Sequence, residues 1–277
     1  LTDGDRNIFL GRDAGSSVTT GCNNIYLGYF AGKYNSTPND SIAIGQEAAQ
    51  KMGGGSENIS IGKGAGSQNG TAADNDAANN ISIGAGSGRG LTDGDNNIFM
   101  GNSTGACITT GTANVLIGNY AGQCHVSGSE NVFISHCAGR CMCSGSTNIA
   151  IGQHALQGSS TVSDNTGHTN IAVGKGAGCV ITTGCYNVFA GYQAGLNYTT
   201  GNKNIFIGQY AGKGASDANG ATGSNNIAIG EKAGQVMDNA GNNVILGVEA
   251  GCILTDGNTN VFLGYQAGSC VTTGSNN

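Results

Sequence analysis

Ten cysteines are the most reactive side chains in this sequence of 277 residues. Three of them, Cys107, Cys124 and Cys141, follow one another at a spacing of 17 residues. If each stretch of that length made one turn of a stacked structure, their Cα atoms would lie about 4.8 Å apart, within the range that a disulfide needs. The candidates for disulfides are Cys107, Cys124, Cys141, Cys179 and Cys185. The alternative is that cysteine serves as a small apolar wall residue.

Other side-chain chemistry has less support in the sequence. The densest group of candidate metal ligands is HCAGRCMC at residues 136–143, and its spacing matches no usual zinc motif. No nucleophile recurs beside a base, and the acidic residues fall mostly in turns. We therefore expect no metal site, no catalytic residue, no cofactor and no enzyme activity.

Composition excludes two classes of partner. The net charge is −6, and lysine and arginine form no cluster, so nucleic-acid binding has no electrostatic support. No apolar run approaches the roughly 18–20 residues that span a membrane. Glycine, at 51 residues, is abundant and charged residues are only 10%, which is unusual for a globular domain.

An internal repeat accounts for this composition. Each repeat begins at an Asn, or once a Ser, which we number position 1. The spacing between these anchors is 17 residues twelve times and 22 residues three times. The anchors are Asn7, Asn24, Ser41, Asn58, Asn80, Asn97, Asn114, Asn131, Asn148, Asn170, Asn187, Asn204, Asn226, Asn243, Asn260 and Asn277.

The repeat pattern predicts one short β-strand per repeat. Positions 2 and 4 are apolar, two residues apart and mostly β-branched, and position 5 is Gly except at Ser135. Such a strand cannot bury itself and must stack on its neighbours. The prediction is an all-β parallel β-solenoid, or β-roll, of about fifteen coils of 17 residues, three of them extended to 22. It forms a single repeat domain over 1–277, as a segment of a longer chain or a filament subunit.

The repeat positions suggest structural roles. Gly at positions 5, 9 and 15 is expected at tight or left-handed corners, Ala at position 8 indicates a thin interior, and the Asn at position 1 is expected to form a ladder between coils. The predicted core residues at positions 2 and 4 include Ile8, Leu10, Ile25, Leu27, Ile98, Met100, Val115, Ile117, Ile205, Ile207, Val261 and Leu263.

Position 3 should point away from positions 2 and 4, because side chains alternate along a strand. Several coils carry an aromatic residue there, and this apolar stripe is a candidate lateral contact between chains. The alternative is a second internal layer in a wide coil. The residues are Phe9, Tyr26, Phe99, Phe133, Phe189, Phe206 and Phe262.

The repeats resemble those of two known groups. Segments such as NDSIAIGQEA (39–48), TNIAIGQHAL (147–156) and NNIAIGEKAG (225–234) resemble the head repeats of trimeric autotransporter adhesins. The spacing and the TTGSNN turn (272–277) resemble the NTAIGYQA repeats of phage tail fibres. The resemblance implies an extracellular, elongated shaft that is usually trimeric and adheres to surfaces or carries receptor-binding tips.

We therefore expect a structural extracellular fibre or filament shaft, found at a cell surface, in a secreted filament or in a virion fibre. Its partners would be other copies of itself, end to end or side by side, including as a trimer. An alternative is an adhesin or tail-fibre segment that binds glycans or a receptor through the three inserted loops at 67–79, 157–169 and 213–225. A minor alternative is ice binding by the threonines at position 13. Asn69 and Asn197 are candidate glycosylation sites.

Overall fold

A computed structural model of the chain describes residues 3–68, 76–159, 165–215 and 220–277. Its backbone contacts divide the chain into two compact units, residues 1–134 and 135–277. Both units have the same all-β architecture. The described residues contain no helix that is long and apolar enough to cross a membrane.

Each repeat contributes one three-residue strand at positions 2 to 4, as the sequence predicts. The first unit contains β1 (Ile8–Leu10), β2 (Ile25–Leu27), β3 (Ile42–Ile44), β4 (Ile59–Ile61), β5 (Ile81–Ile83), β6 (Ile98–Met100), β7 (Val115–Ile117) and β8 (Val132–Ile134). The second contains β9 (Ile149–Ile151), β10 (Ile171–Val173), β11 (Val188–Ala190), β12 (Ile205–Ile207), β13 (Ile227–Ile229), β14 (Val244–Leu246) and β15 (Val261–Leu263).

Within each unit, every strand pairs in parallel with the strand of the next coil. The register places residues of the same repeat position opposite each other, as Ile98 of β6 lies opposite Val115 of β7. A 22-residue repeat keeps the same register, since Ile61 of β4 lies opposite Ile83 of β5. The predicted parallel β-solenoid is therefore confirmed.

The predicted asparagine ladder is present in both units. Asn97 shows the pattern: its backbone N–H and its Nδ2 both donate to Asn80 Oδ1, at 2.9 and 3.0 Å. Its Nδ2 also donates to the Gly111 carbonyl of its own coil, at 2.9 Å. Asn187 makes the same bonds to Asn170 and Gly201. These amides are buried, and they close each coil while tying it to the one before.

The prediction of which strand side chains face the interior is wrong. The core side chain is the one at position 3: Tyr26, Phe99, Phe133, Phe189 and Phe206 are fully buried. Phe262 is buried, and Phe9 in the first coil is half-buried. The second internal layer, the alternative to lateral contact, is the correct interpretation for this stripe.

The residues predicted as core lie on the opposite face of the strands. None of them is buried: Ile25, Leu27, Ile98, Val115, Ile117 and Ile205 are half-buried, and Ile8, Leu10, Met100, Ile207, Val261 and Leu263 are exposed. The reason is side-chain alternation. Because the ladder Asn at position 1 points inward, position 3 must point inward as well, and positions 2 and 4 point out.

Two further columns complete the interior. Position 8 is mostly a buried Ala, such as Ala31, Ala121 and Ala211, which confirms the thin interior. Position 12 supplies larger buried side chains, which the sequence analysis missed. They include Val18, Met52, Leu91, Ile108, His125, Met142, Ile181, Tyr198, Met237 and Leu254.

The corner glycines are required for two different reasons. Gly28 at position 5 has φ 135°, and a Cβ there would lie 2.6 Å from the Gly45 carbonyl oxygen of the next coil. Gly105 at position 9 also has positive φ. Position 15 does not need a left-handed backbone: Gly184 lacks positive φ, and a Cβ on it would lie 2.5 Å from the Gly201 oxygen. There, close stacking of coils is what requires glycine.

Candidate functional site

The most distinctive surface is the outer face, by which we mean the side chains at positions 2 and 4 of the strands. Every one of these residues is Ile, Val, Leu or Met, except Ala190 in β11. None is charged or polar. The parallel register repeats this surface from coil to coil within each unit.

The outer face is partly open even where coils cover it on both sides. Stacking leaves about two fifths of the most open side chains exposed, as at Ile207 (40%) and Met100 (39%), and most of the other members are half-buried. Other exposed members away from the ends of the chain are Ile44, Ile151, Ile171, Val173 and Ile229. A contiguous aliphatic strip of this kind marks a contact surface in soluble proteins.

Polar or glycine positions border the outer face. The residue before each ladder Asn adopts positive φ and is usually polar, as at Asp40, Glu57 and Glu130. On the other side, the glycine at position 5 ends the strand. An apolar centre with a polar border is the arrangement found in protein interfaces.

The predicted disulfides are absent. All ten cysteines lie within the described ranges, and none of them forms a disulfide there. The candidates Cys107, Cys124, Cys141, Cys179 and Cys185 are exposed or half-buried. Burial raises the pKa of Cys107, and the neighbouring Cys124 thiol adds to the shift. Burial also raises the pKa of Cys179 to about 11. The thiols of Cys107 and Cys179 are therefore protonated and weakly nucleophilic at neutral pH.

A second group of chemically active side chains is the histidine–cysteine cluster, formed by His136, Cys137 and His154. One ligand atom of each lies within 4.8 Å of the other two. Cys137 Sγ is 3.6 Å from His136 Nε2, and the two imidazole rings meet edge to face at 5.4 Å. The segment HCAGRCMC singled out in the sequence contains His136 and Cys137, but the third member, His154, was missed because ligand spacings were sought along a single segment. The signal is that Cys137 and His154 are one repeat apart.

Part of each inserted loop (69–75, 160–164 and 216–219) lies outside the described residues, as does the candidate glycosylation site Asn69. Asn197 is described and is half-buried, with its Nδ2 donating to the Gly214 carbonyl at 3.1 Å. Its side chain is therefore engaged between coils, which disfavours Asn197 as a glycosylation site.

A surface depression of about 450 Å³ adjoins the start of the first insert. Its lining includes Lys51, Lys63, Arg89, Glu47 and Gln68. The Gln68 side chain is buried, and among the described residues neither its amide nitrogen nor its oxygen has a hydrogen-bond partner. The lining carries three cationic groups against one carboxylate.

The threonines at position 13 have a structural role. Thr92 Oγ1 donates to the Thr109 carbonyl of the next coil at 3.1 Å, and Thr182 Oγ1 does the same to Thr199. These hydroxyls connect coils in the way that the ladder amides do.

No family model matches the chain, and no curated protein or solved structure is significantly similar to it. The resemblance of its repeats to adhesin heads and tail fibres therefore stays a prediction, and function must be argued from the site itself.

Proposed function

We propose that this chain is a structural element of an extracellular fibre, a stiff shaft segment that assembles side by side with other copies through its outer face. It acts by shape and cohesion and not as an enzyme. The observation that carries the proposal is the outer face itself, an uncharged aliphatic strip repeated on every strand of both units.

The outer face has enough apolar area to drive assembly. Full burial of an aliphatic side chain stabilises by about 1.5–3 kcal/mol, so covering the exposed two fifths of the most open residues contributes about 0.6–1.2 kcal/mol each, and the half-buried residues contribute less. The strands of one unit together offer at most on the order of 10 kcal/mol, within the range of roughly 4–15 kcal/mol that association costs. Assembly therefore requires that most of the face be covered.

A second copy of the same chain is the partner that fits this surface best. The strip repeats at the coil spacing of about 4.8 Å, and another solenoid has side chains at that same spacing. The side chains of a partner with a different repeat would no longer match the spacing of the strip after a few coils. Its uniform composition also makes the strip self-complementary, as an interface between identical subunits requires.

The test replaces two adjacent outward residues by lysine, Ile205→Lys together with Ile207→Lys in β12. The parent chain should run in size-exclusion chromatography with light scattering as a multiple of its 27.5 kDa mass. The double variant should run as a monomer, because two buried charges without partners would destabilise the interface.

The matched control places two lysines at the exposed positions Thr183 and Thr200, away from the outer face. This variant has the same net charge as the first and should assemble like the parent. A parent chain that is monomeric at all concentrations would contradict the proposal, as would an outer-face variant that keeps the parent's mass.

A second candidate function is ligand binding at the first insert, which the depression beside Gln68 favours. Lys51, Lys63 and Arg89 would suit an acidic glycan, and the buried Gln68 amide would bond its hydroxyls. Replacing Lys63 and Arg89 by Ala should abolish binding to sulfated or carboxylated glycans on an array, without a change in assembly. Equal binding by parent and variant would contradict this function.

A further inference from the structure

We propose that the histidine–cysteine cluster is a binding site for one transition-metal ion of the Zn²⁺ class, with His136, Cys137 and His154 as its protein ligands. The proposal is independent of fibre assembly, because the three side chains are at positions 6 and 7, after the strand, and not on the outer face.

The sulfur-to-nitrogen distance already suits a tetrahedral ion. Zn–S and Zn–N bonds of about 2.3 and 2.0–2.1 Å at a tetrahedral angle separate the two donors by about 3.6 Å. Cys137 Sγ and His136 Nε2 are 3.6 Å apart. All three ligand atoms of the cluster lie within 4.8 Å of one another, so small side-chain adjustments on ion binding would suffice to form the site.

One of the three residues has an unsatisfied ring nitrogen. His154 Nδ1 is buried and has no hydrogen-bond partner among the described residues. A buried polar nitrogen without a partner destabilises the fold, and a bound ion would satisfy it.

The stacked coils hold the two less exposed ligands, Cys137 and His154, at the same repeat position. Cys137 and His154 both occupy position 7 of their coils, with nearly equal left-handed φ values of 57° and 60°. The His154 N–H donates to the His136 carbonyl at 3.1 Å, which fixes the distance between the two turns. An ion here would connect two successive coils.

The donor set selects the kind of metal. Two imidazoles and one thiolate suit Zn²⁺ and its neighbours among the transition metals, whereas Ca²⁺ and Mg²⁺ prefer oxygen ligands. A metal of this class binds cysteine as the thiolate, and binding releases the thiol proton. Three protein ligands leave the fourth tetrahedral position for water.

The test titrates the reduced full chain with Co²⁺ as a spectroscopic probe and then displaces it with Zn²⁺. We expect one Co²⁺ per chain, a thiolate-to-cobalt charge-transfer band in the ultraviolet and ligand-field bands in the visible. Cys137→Ser should remove the charge-transfer band, while Cys143→Ser, which alters a nearby cysteine outside the cluster, should keep it.

The histidine variants keep the proposal falsifiable if Cys137→Ser does not fold. His136 is exposed, so His136→Asn should fold like the parent, and it should bind Zn²⁺ more than about 100-fold more weakly, since even outer-shell losses cost 10–100-fold. His154→Asn should weaken binding similarly. Unchanged affinity in both variants, or a charge-transfer band that persists in Cys137→Ser, would overturn the proposal.

Discussion

The two faces of the strands are both mostly apolar, yet they differ in how much their residues vary. The inner face varies widely in size, from Ser60 and Ala150 to Phe206. The outer face is nearly constant, with Ile, Val or Leu in almost every coil. In the interior, a smaller side chain at position 3 can be offset by a larger side chain elsewhere in the same coil. The outer face has no neighbour in the chain that could fill a gap in this way.

Within one coil, the size of the residue at position 9 can be matched to the size of the residue at position 3. Where position 3 is aromatic, position 9 is glycine, and a Cβ on Gly105 would lie 2.7 Å from the Phe99 ring. Where position 3 is alanine, a larger residue can take that space: Leu156 accompanies Ala150, and it is fully buried.

The largest expected difference between the faces comes from truncating adjacent residues of β12. Phe206 is fully buried and contacts the rings of Phe189 and Tyr198 at 5.5 and 4.8 Å. Phe206→Ala should lower the free energy of unfolding by about 3–5 kcal/mol. Ile207→Ala should lower it by only about 1 kcal/mol, because that side chain leaves no internal cavity. Denaturant unfolding at a concentration where the chain is monomeric measures both, and equal losses would contradict the assignment of faces.

The next prediction breaks the pairing between positions 3 and 9. Gly105→Ala should lower the free energy of unfolding by about 2–4 kcal/mol, because alanine at φ 57° is strained and its Cβ overlaps the Phe99 ring. The loss should shrink when Phe99→Ala is also present, leaving mainly the backbone strain. A double-mutant cycle checks this, and purely additive losses would argue against compensation.

A smaller effect concerns the ladder, which sets the direction of both faces. Ser41 interrupts it: Ser41 Oγ donates to Asn39 O, and the Asn58 N–H reaches Ser41 Oγ only at 3.3 Å. Ser41→Asn should raise the free energy of unfolding by about 1 kcal/mol, since it restores buried amide bonds. Asn97→Ser, the reverse change in an intact stretch, should lower it. Thermal unfolding tests the pair, and destabilisation by both would show that the interruption is required.

The smallest effect compares two buried tyrosines of the interior. The Tyr26 hydroxyl accepts a hydrogen bond from Asn35 Nδ2 at 3.3 Å, whereas the Tyr198 hydroxyl has no partner among the described residues. Tyr198→Phe should be neutral or stabilising, and Tyr26→Phe should cost about 1 kcal/mol. Chemical denaturation of the two single variants measures both changes in the free energy of unfolding. A larger loss for Tyr198→Phe than for Tyr26→Phe would contradict these contacts.

Tyr26 also makes the stability of the fold depend on pH. Burial raises the pKa of Tyr26 from 10.0 to about 12, against a smaller opposing effect of the Asn35 hydrogen bond. Its contribution to stability is therefore complete below pH 10 and is lost as the pH rises to about 12. Tyr26→Phe should lose less stability than the parent over that interval.

Much of the fold could be predicted from the sequence, because a spacing of 17 or 22 residues leaves one consistent stacking. The strands, their register, the Asn ladder and the corner glycines at positions 5 and 9 follow from it. The direction of the faces was predicted wrongly, because Ile and Val at positions 2 and 4 are more regularly apolar than position 3. The ladder contained the correction, since an inward Asn24 requires an inward Tyr26.

The candidate sites were less predictable. Cys107 and Cys124 do lie in successive coils, yet they are free thiols, since sequence spacing does not fix the orientation of two side chains. The histidine–cysteine cluster joins residues that are adjacent in one coil to a residue of the next. Only a search at the repeat spacing would find it.

A high-resolution structure of the purified, assembled protein tests the central claim most directly. We predict that the rings of Phe99, Phe189 and Phe206 lie within their own coils, and that Ile205 and Ile207 pack against the same face of another copy. Aromatic rings between copies, or an outer face left in contact with solvent within the assembly, would contradict the account.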